Sequence, residues 1–332
     1  MTATGPPPVP DEVPLTLAVK IVYSSIAALG ITGNSLAIYV LASMVISRRG
    51  NTNILLVNQS LIDLVTSMFL VLCYLVPGQR PPAATPFWRA FVCYVWNSKY
   101  LFWAMTVTSI FNLLLLTFER YFATLHPIRY HNSRCLAWPK SLLLAMLPWV
   151  LGYLLPIYKL MGHYLDDRGR CHLRHFQSLP VKITYSVLIL VLDYILPLTL
   201  MVIAYVRICR ALWATTITGS PPTEQTPILP KGELRNHPAR RNVIKTLVTV
   251  CGVFSLLWLP NQLAYFYYNI EDVHLNEDFF AFSISFAFLN MCVNPFIYTF
   301  QYHQFREGLG RAIPCLARFK ILRIPQTNTV TP

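Results

Sequence analysis

Charged residues are scarce in this sequence. Of its 332 residues only 12% are Asp, Glu, Lys or Arg, whereas 55% are hydrophobic; a soluble globular chain carries about 25% charged residues. The composition therefore excludes an ordinary soluble domain and indicates several membrane spans. The sequence also shows no nucleophile–base constellation, so an enzyme is not expected. It has no basic stripe with interleaved aromatic residues either, and the net charge of +13 therefore predicts no nucleic-acid partner.

Two processing signals are missing as well. The first residues lack the basic segment and the short apolar segment of a cleavable signal peptide, so we expect the first span to be an uncleaved anchor. The N-x-Ser/Thr sequon at Asn58-Gln59-Ser60 lies inside a predicted span, where no glycan can be attached. No glycan is therefore expected.

What the sequence does contain is seven apolar runs, each long enough for the ~20 residues of a bilayer crossing. We predict an all-α membrane protein, a seven-transmembrane helix bundle. An extracellular N-terminus would place most of the 27 Lys and Arg residues on the cytoplasmic side, facing anionic membrane lipids. The predicted spans are Leu17–Ile46, Ile54–Val76, Phe91–Leu125, Trp138–Met161, Val181–Trp213, Val243–Tyr268 and Phe279–Tyr302.

The polar segments complete the predicted organisation. Residues 1–16 form a short extracellular N-terminus, residues 17–302 the bundle, and residues 316–332 a cytoplasmic tail. The stretch at about 214–239 is rich in Thr and Pro and predicts a flexible third cytoplasmic loop. Residues 303–315 predict a short amphipathic cytoplasmic helix on the membrane surface. It ends at Cys315, a candidate palmitoylation site.

Cysteine placement predicts one disulfide. Of the eight cysteines, six fall within the spans or on or near the reducing cytoplasmic side. Cys93 and Cys171 are left outside, where oxidising conditions favour a disulfide. We therefore predict that these two are paired.

Ionisable residues inside the apolar runs are costly, by about 2.5–3.5 kcal/mol on insertion scales, and usually have a partner or a function. Glu119-Arg120, at the end of the third run, is either a functional pair or an interfacial anchor. Asp63, half-way along the second run, is either a functional site facing the bundle interior or a neutral, hydrogen-bonded core residue. Asp193 precedes the helix-kinking Pro197 by one turn, and a ligand contact and an interhelical partner are equally open.

Two stripes recur at helical spacing. Asn290, Asn294 and Tyr298 lie four residues apart in the seventh run, and such a polar stripe is expected to face the bundle interior rather than lipid. Phe254 and Trp258 share one face of the sixth run, just before a helix-kinking proline. For an aromatic stripe, core packing is the commoner role.

The order of these motifs resembles that of rhodopsin-like (class A) G-protein-coupled receptors, over roughly Leu17 to Cys315. Each motif alone is weak, but their combination at matching depths in matching spans is specific. The motifs are Gly33-Asn34, Asn58 with Asp63, Cys93, Glu119-Arg120-Tyr121, Trp149, Pro197 with Tyr205, Phe254 with Trp258 and Pro260, and Asn294-Pro295 with Tyr298.

The resemblance implies a plasma-membrane receptor that activates a heterotrimeric G protein when the inner half of the sixth span moves outward. Glu119 would hold Arg120 in the inactive state, and Arg120 would meet the G protein in the active one. Arrestin and receptor kinases are implied as further partners. The implied switch residues are Glu119, Arg120, Tyr121, Tyr205, Phe254, Trp258, Pro260, Asn294, Pro295 and Tyr298.

The resemblance also implies an allosteric sodium site, and no other cofactor is expected. Its residues would be Asp63, Ser109, Asn290 and Asn294, since a hard cation prefers a carboxylate and neutral oxygens.

Three positions depart from the family pattern. One is Leu257, which stands where many members carry a Cys before the Trp. Cys93 lies two residues further from Arg120 than is usual, so we expect an irregular start to the third span and a displaced disulfide. Arg240 stands at the base of the sixth span, where several members carry an acid that binds the Arg. We therefore expect Arg120 to be restrained by Glu119 alone.

The residues at two positions argue against two classes of ligand. Phe102 stands where amine receptors of this family carry an Asp, and Phe288 stands where retinal-binding members carry a Lys, so both classes are disfavoured. The outer bundle is aromatic and amphipathic with charged loops, which suits a peptide steered by complementary potential. The candidate ligand-binding residues are Lys99, Phe102, Trp103, Asp193, Gln262, Tyr265, Phe266, Phe280 and Ile284.

Other functions remain as alternatives to a peptide receptor. A receptor for a small non-amine molecule or a lipid would share the same bundle. A transporter would show an internal repeat or paired broken half-helices, which the sequence lacks. A non-signalling receptor-like partner is disfavoured by the intact Glu119–Tyr121 and Asn294–Tyr298 motifs.

Overall fold

The computed structural model describes residues 15–48, 51–76, 85–132, 140–167, 171–174, 178–218, 237–271 and 277–313. Within these residues lie seven helices that are long and apolar enough to cross a membrane, as predicted. We number them as spans one to seven. They run over Leu17–Ile46, Thr52–Leu75, Tyr100–Leu125, Ser141–Gly162, Leu179–Ala211, Ile244–Tyr267 and Phe279–Gln301.

Individual elements subdivide and extend these spans. The α-helices are Leu17–Arg48, Asn51–Leu70, Pro86–Phe91, Tyr100–Leu125, Pro127–Asn132, Lys140–Leu154, Leu179–Leu190, Leu196–Thr218, His237–Glu271, Glu277–Gln301 and His303–Ala312. Val71–Leu75, Val92–Asn97 and Val191–Ile195 are π-helical, and Leu155–Gly162 is a 3₁₀ helix that begins beside Pro156. His163–Leu165 pairs antiparallel with Cys171–Leu173.

The helices beside the predicted third loop are longer than the sequence suggested. The fifth-span helix continues to Thr218 and the sixth-span helix begins at His237. The predicted loop at 214–239 is therefore shortened at both ends. Residues 219–236 lie outside the described residues.

The bundle has two distinct ends. The Cys93–Cys171 disulfide, with Cα atoms 5.4 Å apart, marks what we call the disulfide end, and it confirms the predicted pairing. Glu119-Arg120 and the helix His303–Ala312 mark the opposite end, which we call the arginine end.

The start of the third span is irregular, as the position of Cys93 predicted. The sequence suggested a continuous span from Phe91, but the long helix begins at Tyr100. Lys99 adopts a left-handed backbone conformation with φ of 53°, which an L-residue other than glycine adopts at a cost of roughly 1–2 kcal/mol. The π-helical stretch Val92–Asn97 precedes it and contains Cys93. The disulfide links this cysteine to Cys171, on the second of the two paired strands.

The Gly33-Asn34 motif packs against a proline of the seventh span. Pro295 lacks the N–H that would bind the carbonyl of Met291, four residues earlier. Asn34 Nδ2 donates to that carbonyl at 2.7 Å and to the Gly30 carbonyl at 2.8 Å. A Cβ at Gly33 would lie 3.3 Å from Pro295 Cγ. The motif therefore satisfies the freed carbonyl and lets the first and seventh spans approach closely.

Gly152 performs a similar packing role between the third and fourth spans. A Cβ at this position would lie 1.9 Å from Thr108 Oγ1 and 2.7 Å from Thr108 Cα. Because the second of these atoms belongs to the backbone, only a glycine fits the observed approach.

The helix after the seventh span is amphipathic, as predicted. Phe305 and Leu309 are buried at 1% and 3% exposure, whereas the Arg311 side chain is 77% exposed. Tyr302, just before this helix, donates to Asn53 Oδ1 at 2.9 Å and so ties it to the second span. The helix ends at Ala312, and Cys315 lies outside the described residues.

Candidate functional site

Glu119 and Arg120 form a buried ion pair at the arginine end. Arg120 Nε and Nη2 donate to the two carboxylate oxygens of Glu119. The side chain of Arg120 is only 13% exposed and that of Glu119 only 1%. Such bidentate, charge-assisted bonds are among the strongest in proteins. An interfacial anchor would instead extend its guanidinium to solvent, so the geometry favours a functional pair.

Two further side chains hold the Glu119 carboxylate. Tyr130, on the helix Pro127–Asn132, donates its hydroxyl at 2.5 Å, and Thr52, at the start of the second span, donates at 3.3 and 3.4 Å. The ion pair is thus anchored to two elements besides its own span. The sequence predicted that Glu119 alone restrains Arg120. In the structure Glu119 is itself held in place by Tyr130 and Thr52.

The tyrosines near the pair connect the third span to the fifth and sixth. Arg207, on the fifth span, donates to the Tyr121 hydroxyl at 3.3 Å. The Tyr205 hydroxyl accepts from Thr117 of the third span at 3.1 Å and also hydrogen-bonds with Cys251 of the sixth. Tyr205 therefore bridges three spans from a buried position.

The polar stripe of the seventh span faces the bundle interior, as expected. Asn294 Nδ2 donates to Asp63 Oδ2 at 2.7 Å. Tyr298 is fully buried, with its ring centroid 6.0 Å from that of Phe305. Asn290 is also buried, but among the described hydrogen bonds none joins it to Asp63.

The carboxylate of Asp63 is surrounded by hydrogen-bond donors. Gln59 Nε2 lies 3.1 and 3.2 Å from its two oxygens, Ser109 Oγ donates at 3.1 Å, and Asn294 Nδ2 completes the set. A sodium ion needs oxygen lone pairs directed at it, whereas two of these three groups present amide N–H. The donor set does not fit the sodium site that the resemblance implied.

At the disulfide end, two lysines lie over aromatic rings. Lys99 Nζ is 4.4 Å from the ring centroid of Tyr74. Lys159 Nζ lies 4.6 Å from the Trp103 ring and 5.5 Å from the Tyr265 ring. These are cation–π distances. Of the predicted ligand-binding residues, Lys99, Trp103 and Tyr265 therefore take part in this arrangement, together with Lys159 of the fourth span.

Asp193 lies in the same region. Tyr158 donates its hydroxyl to Asp193 Oδ2 at 2.8 Å, and Lys159 interacts electrostatically with the same carboxylate. Asp193 is therefore an interhelical partner of the fourth span, which was one of its two predicted roles. It also lies close to the aromatic and cationic side chains described above, so the second predicted role, a ligand contact, stays a prediction.

Other predicted ligand-binding residues are packed inside the bundle. Phe102 is 1% exposed, with ring centroids 5.1 to 5.4 Å from those of Phe288, Tyr74 and Trp103. Aromatic packing of this kind leaves little of the side chain for a ligand. Gln262 and Ile284 are buried at 6% each, whereas Phe266 and Phe280 are partly exposed.

A chain of aromatic side chains leads from the disulfide end into the sixth span. The Trp258 ring lies 6.4 Å from Trp103 and 6.1 Å from Phe254. Tyr194, next to Asp193 in the π-helical stretch, donates to the Ser255 carbonyl at 2.9 Å. Pro260 lies five residues further along the same helix. Phe254 and Trp258 are packed in the core, and the aromatic contacts extend from Trp103 of the third span to Phe254 of the sixth.

Residues 33–298 match the family model of the "7 transmembrane receptor (rhodopsin family)". The chain belongs to this family. Its members are signalling receptors, not enzymes, which confirms both the resemblance and the expectation that the protein is no enzyme.

Similar receptors extend the match over almost the whole chain. The sequence is 26% identical to galanin receptor 2a of Danio rerio, over 96% of this chain and 83% of that receptor. It is 28% identical to galanin receptor type 1 of Rattus norvegicus, over 89% and 82% respectively. It is 25% identical to the tachykinin-like peptides receptor 86C of Drosophila melanogaster, over 89% of this chain and 58% of that receptor.

The site of this rhodopsin-family receptor includes residues that sequence reasoning missed. Thr52 gave no signal because its partner Glu119 is 67 residues away along the chain. Tyr130 is only 11 residues from Glu119, but it belongs to a separate short helix whose direction the sequence does not fix. Gln59 stands one helical turn before Asp63, and Lys159 is a lone cation one turn after Pro156 in an apolar run. Those two spacings were readable signals.

Two predictions fall outside the described side chains. The role of Arg240 at the base of the sixth span and the lipidation of Cys315 stay predictions.

Proposed function

We propose that this protein is a G-protein-coupled receptor of the plasma membrane, with its disulfide end outside the cell and its arginine end in the cytoplasm. An extracellular peptide binds at the disulfide end. The bound receptor activates a heterotrimeric G protein at the arginine end through outward movement of the sixth span. The observation that carries this proposal is the buried Glu119–Arg120 pair, whose guanidinium becomes available to a partner when the pair opens.

The contacts of Tyr205 give the movement a physical consequence. Its hydroxyl bonds to Thr117 of the third span and to Cys251 of the sixth. Outward movement of the sixth span breaks the contact with Cys251, while the bond to Thr117 can stay in place. The bundle therefore has two states, with the sixth span inward or outward. A ligand that favours the outward state must raise the affinity for the G protein, and the G protein must raise the affinity for the ligand by the same factor.

The route from the ligand to this movement follows the aromatic chain. Asp193 and Tyr194 are neighbours in the fifth span, and the second of them bonds to the backbone of the sixth span at Ser255. A ligand that draws Asp193 away from Tyr158 therefore also shifts a contact to the moving span. The ring of Trp258 offers a parallel route from Trp103.

A peptide fits the disulfide end because that end offers groups of several kinds. Lys99 and Lys159 are cationic, Asp193 is anionic, and Trp103 and Tyr265 are aromatic. A chain with several side chains can satisfy such a set, whereas a small amine needs one acid in one place. The names of the similar receptors, which refer to galanin and to tachykinin-like peptides, support the same class.

The proposal is tested by applying pooled peptides to cells that express the receptor with a panel of chimeric G proteins. At least one pool is expected to raise guanine-nucleotide exchange. Arg120→Ala should abolish this response, while the control Arg129→Ala, at an exposed position on the helix Pro127–Asn132, should retain it. Activity of a lipid pool with silence of every peptide pool would replace the peptide assignment. Intact stimulated exchange by Arg120→Ala in every coupling assay would refute the coupling mechanism.

A further inference from the structure

The orientation of one buried amide near Asp63 is fixed by a chain of hydrogen bonds that starts at Trp149. An indole N–H can only donate, and Trp149 Nε1 donates to Asn58 Oδ1 at 3.0 Å. The amide nitrogen of Asn58 must then point the other way. It donates to Asn112 Oδ1 at 2.9 Å and to the carbonyl of Ala145 at 3.0 Å.

The next two amides follow in the same sense. Asn112 Nδ2 donates to Gln59 Oε1 at 2.9 Å and to the Leu55 carbonyl at 3.1 Å. Because both of these partners are oxygens, the Asn112 amide cannot be reversed. The oxygen of Gln59 is therefore turned away from Asp63 and its nitrogen is turned toward it.

The Gln59 amide occupies the position of a bidentate ligand on the carboxylate. Its nitrogen lies nearly equidistant from the two Asp63 oxygens, at 3.1 and 3.2 Å, and 2.6 Å from Ser109 Oγ. Gln59 and Ser109 are 0% and 5% exposed, so neither reaches bulk solvent. A cation between the two carboxylate oxygens would meet the positive end of an N–H dipole.

The remaining oxygens supply too little for a cation. The Ser109 hydroxyl already accepts from Gln59 and donates to Asp63. Asn294 directs its nitrogen at the carboxylate, and its Oδ1 is the one atom of these residues that has no partner in the described part of the chain. With the amide oxygen of the buried Asn290, at most two neutral amide oxygens remain, and these do not make the oxygen shell that a hard cation requires.

We propose that the side-chain amide of Gln59 takes the place of the sodium ion in this receptor, so that the Asp63 site does not bind sodium and the receptor is insensitive to it. The buried carboxylate is stabilised instead by hydrogen bonds from neutral groups of the protein itself. The fourth span, through Trp149, sets the direction of the Gln59 amide. The inference about binding does not depend on the proposed ligand or G protein.

Thermal unfolding of the purified receptor tests this directly. The unfolding midpoint is measured in detergent at rising NaCl, with N-methyl-D-glucamine chloride holding ionic strength constant. The wild-type midpoint is expected to stay within about 1 °C, because an ion that does not bind the folded state cannot stabilise it. A saturable rise in sodium but not in the organic cation would overturn the proposal.

Gln59→Leu adds a second arm. Leucine removes the amide and exposes the Asp63 carboxylate and the Ser109 hydroxyl, so this variant should gain a saturable, sodium-specific rise in its midpoint. Gln262→Leu, at another buried glutamine, is the matched control and should gain none. If Gln59→Leu folds but shows no sodium dependence, Gln59 is not what excludes the ion, and its assigned role is wrong. If it does not fold, the wild-type titration decides alone.

Discussion

Loss of the Glu119 charge is expected to make the receptor active without ligand. Glu119→Gln keeps the shape of the side chain but leaves one acceptor oxygen for Arg120 in place of two, because the amide nitrogen can only donate. Bonds to charged groups contribute about 1.5–3 kcal/mol each and neutral ones about 0.5–1.5. Loss of one bond and weakening of the other cost roughly 2–3 kcal/mol, and every 1.4 kcal/mol is tenfold in an equilibrium.

The expected shift toward the active state is therefore about thirtyfold or more, up to saturation. It has two readouts. Basal guanine-nucleotide exchange should rise at equal surface expression. The potency of an activating peptide pool should rise too, because apparent affinity depends on the fraction of receptor that is already competent.

Graded variants sharpen this prediction. Tyr130→Phe removes the 2.5 Å bond to Glu119 and Thr52→Val removes the longer bonds of 3.3 and 3.4 Å. Basal exchange should therefore increase in the order Thr52→Val, Tyr130→Phe, Glu119→Gln. Glu307→Gln is the control, since that acid pairs with Arg311 at 3.8 Å on the membrane-surface helix. Unchanged basal exchange and unchanged potency in Glu119→Gln would refute the idea that this carboxylate restrains Arg120.

Two further predictions concern the packing of the bundle. Gly152→Ala should lower the thermal unfolding midpoint and cost about 1–3 kcal/mol through overpacking, because the new Cβ would lie 2.7 Å from the backbone of Thr108. The control Gly252→Ala should not lower the midpoint, since its Cβ meets nothing within 4 Å in the described residues. Equal effects of the two changes would contradict the packing account. Asn34→Leu should cost about 1–3 kcal/mol because the Met291 carbonyl loses its donor, and an unchanged unfolding midpoint would show that this bond contributes nothing.

The number of spans was predictable because it depends on length and hydropathy alone. Their boundaries depended on local conformation. The third span begins at Tyr100 because Lys99 is left-handed. Asn97 and Ser98 precede it, but no glycine or proline marks a break in the apolar run. The irregular start of this span was nevertheless foreseeable, since the interval from Cys93 to Arg120 is unusual for the family.

The candidate site was predictable to the extent that its residues form motifs. Glu119 and Arg120 are neighbours in sequence and were found as such. The direction of the Gln59 amide depends on Trp149, which lies on a different span, and amide orientation is not a property of sequence spacing. Phe102 was predicted to contact the ligand because it belongs to the aromatic outer part of the bundle. In the structure, aromatic packing across several spans buries it.

The most direct test of the coupling mechanism needs no ligand. Receptor carrying Glu119→Gln is reconstituted in lipid vesicles with a purified heterotrimeric G protein, and binding of a nonhydrolysable GTP analogue is followed over time. Exchange is expected to exceed that of the wild-type receptor, and adding Arg120→Ala in the same chain should return it to the rate of receptor-free vesicles. Persistent fast exchange in the double variant would contradict the claim that Arg120, once released by Glu119, is the group that engages the G protein.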